Sequence, residues 1–190
     1  MIYRLAQDGD GGPVLETGRL RLRGPGLADF DHWAEFFASP RSVHEGGPKD
    51  RLAAWQHWAA DVALWVLRGY GPFGVEDRAT GAYLGEVGLY HGEGYPAPEL
   101  GWFLVPAAEG RGIALEAARA VLGWVRATFD WPHITNIIEP ANSRSIALGL
   151  RLRILTPSPV SWPAPALPAS AVRSAARRHG GPSATWRATG

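Results

Sequence analysis

Cysteine is absent from this chain of 190 residues, and long apolar runs are absent too. Without cysteine there is no disulfide, no thiolate metal ligand and no cysteine nucleophile, and the redox compartment stays undetermined. The longest apolar run in the first half, residues 62–67, is far shorter than the roughly 18 residues that a membrane span needs. Hydrophobic residues nevertheless make up 46% of the chain, which excludes a wholly disordered polymer.

Acidic residues are missing from the last quarter of the chain. Residues 1–139 hold 18 acidic and 12 basic residues, a net charge of −6, whereas residues 140–190 hold seven arginines and no acid, a net charge of +7. A basic segment can bind nucleic acid, but here only Arg177 and Arg178 are adjacent, so the cationic surface is thin. We therefore expect no nucleic-acid partner.

The N-terminus lacks the apolar stretch of a secretion signal. Its first ten residues include Arg4, Asp8 and Asp10. From this and the short apolar runs we expect a cytoplasmic protein with no membrane partner.

The spacing of apolar residues predicts a mixed α+β order. Strands are expected at residues 15–23, at 73–76 and 83–90 as a hairpin, at 99–105 and at 134–138. Helices are expected over residues 27–37, from an Asp50 cap to Gly69, over 113–129, and from Ser143 after an Asn142 cap. In the second helix we expect a buried stripe of Leu52, Trp55, Ala59, Val62 and Val66.

A glycine turn at residues 110–112 separates a predicted strand from a predicted helix. Gly110 and Gly112 allow backbone N–H groups to approach an anion at the positive end of that helix, and Arg111 can add a charged contact. The turn is not a Walker loop, because the chain has no Gly-Lys pair, and Leu115 breaks the dinucleotide fingerprint. On its own the turn equally fits an ordinary connection between a strand and a helix.

Four segments in this order, LETGRLRLR, ELGWFLVP, EGRGIALEAARAVLGW and PANSRSIAL, resemble the GNAT superfamily of N-acetyltransferases. The nearest likeness is to the Rim-type branch, which acetylates protein N-termini and small amines. The resemblance covers residues 15–148 and implies the GNAT acyl-CoA N-acyltransferase fold, a mixed and mostly antiparallel sheet flanked by helices. It also implies transfer of acetyl from acetyl-CoA to a primary amine by a monomer or homodimer, with no metal.

The resemblance assigns residues to acetyl-CoA, which would lie between strands 99–105 and 134–138. The pyrophosphate would bind the amides of Gly110, Arg111, Gly112, Ile113 and Ala114. The pantetheine arm would bind the backbone of Leu104 and Val105, near Asn142 and Ser145, and an N–H at Phe103 or Leu104 would stabilise the oxyanion. Glu109 departs from the Gln or Arg of the family motif, so it either repels the pyrophosphate or points to solvent.

The reaction needs a base to deprotonate the amine and a proton for the leaving thiolate. Glu99 is our first choice of base because it lies beside the expected wedge, with Glu86 and His91 as second choices and Glu139 as the third. Tyr90 and Tyr95 are candidate proton donors. Strand carboxylates are more often salt-bridged and tyrosines packed, and we interpret His57 and Asp61 as a surface pair. Glu45, Asp50 and Asp61 are candidates to line a pocket for a cationic acceptor.

The resemblance ends abruptly near Leu148. We predict an N-terminal extension at 1–14, the N-acetyltransferase domain at 15–150 and an atypical segment rich in proline, alanine and arginine at 151–190. The family has two more strands after the Asn142 helix, so we hypothesise that this segment is out of frame or a replaced tail and that those strands are missing or altered. The alternative function is then a noncatalytic or crippled acyl-CoA-binding domain.

Overall fold

A computed structural model of the chain describes residues 12–131 and 134–152. The predicted N-terminal extension lies almost wholly outside these residues, and so do residues 153–190, which form most of the predicted atypical segment. The strands are β1 Leu15–Glu16, β2 Leu20–Arg23, β3 Pro72–Asp77, β4 Tyr83–Tyr90 and β5 Glu99–Leu104. The α-helices are α1 Phe30–Ala38, α2 Arg51–Arg68, α3 Ile113–Thr128 and α4 Ser143–Leu152.

The strands of the described residues form one sheet in the order β1-β2-β3-β4-β5, with every neighbouring pair antiparallel. Val87 on β4 packs in a core with α3, whereas its neighbour Glu86 contacts Trp33 of α1. Because successive residues of a strand point to opposite faces, α3 covers one face of the sheet and α1 covers the other. Phe103 of β5 joins the α1 side, where its ring stacks on Phe36 at 4.6 Å.

The single strand predicted for residues 15–23 is wrong, because this segment is a hairpin. Leu15 pairs with Leu22, and Glu16 pairs with Arg21. The Thr17 hydroxyl accepts a hydrogen bond from the Leu20 N–H at 3.0 Å and so closes the turn. Thr17 and Gly18 are residue types that favour turns. The alternation of apolar and polar residues continues on both sides of them, so the segment was predicted as one strand although the chain reverses direction there.

Helix α2 has the predicted ends and a different buried face. The Asp50 carboxylate caps it by accepting from the Ala53 N–H at 2.8 Å, and Gly69 ends it with φ of +75°. The predicted stripe is wrong, since Leu52, Trp55 and Val66 are exposed. The buried residues are Ala54, Trp58, Val62, Leu64 and Trp65. Apolar residues surround much of this helix, so helical spacing alone does not reveal which side is buried.

The strand predicted for residues 134–138 is reduced to one parallel bridge between Glu99 and Thr135. The Leu100 N–H donates to the Thr135 carbonyl at 2.9 Å, and the Asn136 side chain reaches the Leu100 carbonyl at 2.5 Å. Beyond this point the described residues show no further ladder between the two segments, so β5 continues toward the glycine turn paired with β4 on one edge and open on the other. None of the helices in the described ranges has the length and apolarity needed to cross a bilayer.

Candidate active site

A cleft of about 460 Å³ opens at the C-terminal end of β5. Its walls come from the end of α1 and the following turn, from β5, from the glycine turn with the first turn of α3, and from α4. Of the residues assigned to acetyl-CoA, eight line it: Phe103, Leu104, Gly110, Gly112, Ile113, Ala114, Asn142 and Ser145. Most of the assigned residues are therefore brought together in one cavity.

The glycine turn exposes the start of α3 to this cleft. Gly110 has φ of +70° and Gly112 has φ of +76°, a region that glycine enters without the strain of a side chain. Gly112 occupies the N-cap of α3 and has no side chain to bond the free amides of the first turn. Those amides and the helix dipole therefore favour an anion at this end of the cleft.

Two of the residues assigned to acetyl-CoA do not line the cleft. The Arg111 guanidinium turns back toward the Ala107 carbonyl at 3.5 Å, although the backbone of Arg111 remains in the turn. The Val105 N–H already donates to the Leu84 carbonyl at 3.0 Å, and its carbonyl accepts from the Ala108 N–H at 3.0 Å, so only the second lone pair of that carbonyl is left for a ligand. The amide contacts predicted for these two residues stay predictions.

Asn142 caps α4 as predicted from the sequence. Its side-chain oxygen accepts from the Ser145 N–H at 3.1 Å. This bond fixes the start of α4 beside the cleft and leaves the Asn142 amide nitrogen for another partner.

Glu99, Tyr90 and Glu86 lie on one face of the β4–β5 pair. Tyr90 is directly opposite Glu99 across the two strands, and Glu86 is opposite Phe103. Residues opposite each other in an antiparallel pair share a face. The three catalytic candidates therefore share the face that carries Phe103 into the cleft.

Glu99 is held at the first residue of β5, where the chain enters the strand. Its Oε1 accepts from the Ile137 N–H at 3.0 Å. Burial raises the pKa of Glu99 to about 7, opposed by that hydrogen bond and assisted by the charge of Glu45, which lines the cleft. A carboxyl group with this pKa exchanges a proton readily near neutral pH.

Glu86 is enclosed beneath α1, where it is 1% exposed. Its Oε1 accepts from the Tyr90 hydroxyl at 2.8 Å and from the Trp33 indole at 3.3 Å, whereas Oε2 has no partner among the described residues. Burial raises the pKa of Glu86 to about 8, and burial with the charge of Glu86 raises the pKa of Tyr90 well above its usual value. Glu86 is therefore mostly protonated at neutral pH.

The other candidates have partners outside this face. His91 bonds the Tyr70 hydroxyl at 2.8 Å, and Glu139 bonds His44 at 2.7 Å. His57 and Asp61, interpreted as a surface pair, are paired with 3.6 Å between Nε2 and Oδ2, but both are partly buried and do not lie fully at the surface. Burial lowers the pKa of His57 to about 4 and raises that of Asp61 to about 7, so the charged pair is disfavoured. Within the described ranges, no group of three or more histidine or acidic residues is placed to hold a metal ion.

Glu109 neither points freely to solvent nor stands as a lone negative charge. It forms ion pairs with Arg41, from the turn after α1, and with Arg144, from the first turn of α4. Burial alone would raise the pKa of Glu109, but hydrogen bonds from Arg144 and Arg41 and their charges lower it below its usual value. Neither arginine was singled out from the sequence, because residues 41 and 109 meet only in the folded chain.

The family follows from comparison with known proteins. The family model described as the acetyltransferase (GNAT) domain matches residues 19–153. This chain belongs to the GNAT acetyltransferase family. The membership and the GNAT fold predicted from the sequence are thereby confirmed.

Solved and curated proteins agree with this membership. The crystal structure of an acetyltransferase from Agrobacterium tumefaciens str. C58 is 39% identical with a TM-score of 0.71, and the match covers 74% of this GNAT chain and 82% of that chain. The uncharacterized protein YkkB of Bacillus subtilis is 28% identical over 152 residues, 73% of this chain and 83% of YkkB.

A Rim-type enzyme also shares the GNAT fold. RimL, a ribosomal L7/L12 alpha-N-protein acetyltransferase solved in complex with coenzyme A, has a TM-score of 0.61 at 16% identity, covering 73% of this chain and 82% of RimL. At that identity the likeness shows the fold alone.

Proposed function

We propose that this acetyltransferase moves the acetyl group of acetyl-CoA to a primary amine, either a protein N-terminus or a small amine. The observation that carries the proposal is that one strand, β5, links two features of the fold. The uncapped start of α3 offers amides to an anion at one end of β5, and the carboxyl group of Glu99 lies at the other end on the face of Phe103. Family membership supplies the reaction type.

The glycine turn would hold the pyrophosphate of acetyl-CoA. The amides of Gly110 to Ala114 are the proposed ligands, with Asn142 and Ser145 beside the pantetheine arm. The Leu104 carbonyl, predicted to bond the pantetheine, already accepts from Arg41 Nη2 at 2.9 Å. A carbonyl oxygen has two lone pairs, so it can accept a second N–H while this bond persists.

Glu99 would act as the general base, directly or through a water molecule. It takes one proton from the ammonium group of the acceptor, so that the amine nitrogen attacks the thioester carbon. The C–S bond then breaks, and the nitrogen loses its second proton to solvent as the amide forms. An N–H at Phe103 or Leu104 stabilises the oxyanion, and the departing thiolate receives a proton from Tyr90 or from solvent. Tyr90 would be reprotonated through Glu86, to which its hydroxyl is bonded.

Binding and catalysis can be tested in sequence. A thermal shift with acetyl-CoA is expected first, followed by release of free thiol in the presence of N-terminal peptides or polyamines. A shift with no thiol release from any of these acceptors would favour the alternative of a noncatalytic acyl-CoA-binding domain. The absence of any shift would contradict the proposed donor.

A further inference from the structure

Glu109 joins two arginines that come from separate walls of the cleft. Arg144 Nη2 lies 2.6 Å from Glu109 Oε2, and Arg41 Nη2 bonds Glu109 Oε1. Each carboxylate oxygen thus holds one guanidinium group. All three side chains line the cleft next to Gly110 and Gly112.

Arg41 is held in place by contacts other than Glu109. Its Nη2 donates to the Leu104 carbonyl at 2.9 Å, and its guanidinium lies 5.4 Å from the centre of the Phe36 ring. Arg144 is more open, with a side chain that is 71% exposed. Arg41 is therefore the fixed member of the pair and Arg144 the adjustable one.

The three side chains together carry an excess of positive charge. Two guanidinium groups and one carboxylate leave a net charge of +1 beside the uncapped start of α3. A guanidinium group has five N–H donors, and both arginines bond Glu109 through Nη2 only. Nε and Nη1 of each therefore remain available for a second anion while the pairs with Glu109 persist.

We propose that Arg41 and Arg144 form a clamp for the pyrophosphate of the acyl-CoA, with Glu109 as the residue that positions Arg144. This inference rests on the proposed function. The pyrophosphate is favoured over the 3′-phosphate because Glu109 directly precedes Gly110, the first glycine of the turn. The two arginines offset the negative charge that Glu109 brings in place of the motif's Gln or Arg.

Calorimetric titration of the full chain tests the clamp with two ligands, acetyl-CoA and 3′-dephospho-acetyl-CoA. Charge-assisted hydrogen bonds are strong enough that R144Q and R41Q should each weaken the binding of both ligands by about tenfold. The control R126Q removes an exposed arginine from the last turn of α3, outside the cleft, and should change neither affinity by more than about twofold. S-acetylpantetheine, which has no phosphate, should bind all variants alike.

The outcomes separate the clamp from the proposed function. If wild-type protein binds neither ligand, the proposed donor is wrong and the clamp with it. If wild type binds both and the two variants match R126Q, only the clamp is overturned. A loss confined to acetyl-CoA would assign the arginines to the 3′-phosphate and overturn the pyrophosphate assignment.

Glu109 is tested by its coupling to Arg144. A positioning residue acts through its partner, so E109Q should weaken acetyl-CoA binding by less than R144Q does, and E109Q/R144Q should bind no worse than R144Q alone. Tighter binding by E109Q would overturn the positioning role, because it would show that Glu109 competes with the phosphate. Weaker binding of S-acetylpantetheine by E109Q would indicate a merely structural role and also overturn it.

Discussion

The two ends of β5 place the same residue type in opposite environments. At the N-terminal end Glu99 is shielded from water near Glu45, and burial raises its pKa to about 7. Just past the C-terminal end Glu109 is paired with two arginines, which hold its pKa below the usual value. Five residue steps, about 17 Å of extended chain, separate the Cα atoms of Glu99 and Leu104. A single strand thus joins a region suited to proton transfer to a region suited to anion binding.

The difference follows from what each end packs against. The N-terminal half of β5 pairs with Gly88, Leu89 and Tyr90 of β4, and the burial of Glu99 there makes its negative charge costly. The C-terminal half leads into a turn whose glycines leave backbone amides uncapped, and the neighbouring walls contribute arginines. Substitutions at the C-terminal end of β5 should therefore weaken acetyl-CoA binding, whereas substitutions at the N-terminal end should lower the catalytic rate.

The largest expected effect comes from adding a carboxylate to the anion-binding end. Gly112→Asp places a side chain at φ of +76° and a negative charge at the start of α3, so stabilisation by acetyl-CoA should be abolished. At a ligand concentration of 100 Kd this stabilisation amounts to about 2.7 kcal/mol. The measurement is the thermal shift with acetyl-CoA.

The matched control is Gly123→Asp on the same helix, where an added side chain meets open space. It should lower the unliganded Tm only modestly and retain the shift. If Gly112→Asp showed a thermal shift of wild-type size, the assignment of the pyrophosphate to the glycine turn would be contradicted.

The second prediction concerns the proton-transfer end. Glu99→Gln should lower kcat/KM by about 10²–10³, as for loss of a general base, with no change in the Kd of acetyl-CoA. Because Glu99 accepts a proton only above its pKa, the wild-type rate should rise with pH through about 7. The variant should lack that rise.

Glu93→Gln, in the exposed loop between β4 and β5, is the control and should keep the wild-type pH profile. The base assignment would be contradicted by a Glu99→Gln enzyme that retains both the rate and the rise near pH 7.

Much of both regions could be predicted from the sequence, but the pairing of distant charges could not. Gly112 and Asn142 mark the starts of α3 and α4 through local backbone chemistry, so the positions of both helices were predicted. Arg41 and Glu109 are 68 residues apart, and no local pattern joins them. The burial of Glu86 was equally hidden, because strand alternation does not show that Trp33 covers it.

Glu86 gives the third prediction, an effect on stability. Its pKa in the folded state is raised to about 8, so the folded protein holds a proton that the unfolded chain releases at a lower pH. This contribution to stability is complete below the unfolded pKa and is lost as the pH rises through about 8. Between about pH 5 and about pH 8, the free energy of unfolding should fall by on the order of 3 kcal/mol more in wild type than in Glu86→Gln.

The measurement is urea unfolding of both proteins at several pH values. Subtracting one from the other cancels the slopes that Glu99 and Glu45 contribute, since their pKa values are also raised. Parallel pH profiles for the two proteins would show that Glu86 is ionised in the folded state.

The smallest expected effect is the response to salt. Raising NaCl from about 0.05 M to about 0.5 M shortens the range of charge interactions, so acetyl-CoA should bind about three- to tenfold more weakly at the open, cationic end. The pH midpoint of the rate should move little, because Glu99 is shielded from the solvent. Titrations with acetyl-CoA and pH profiles of the rate, each at both salt concentrations, measure the two responses. If salt changed the pH midpoint as strongly as it changed the Kd of acetyl-CoA, the proposed difference between the two ends of β5 would be contradicted.

Amide hydrogen exchange on wild-type protein, with and without saturating acetyl-CoA, tests the assignment of the glycine turn most directly. The amides of residues 110–114 should exchange more slowly with acetyl-CoA, because they would donate to its pyrophosphate. Unchanged exchange at these residues under saturation, with protection elsewhere, would contradict the assignment.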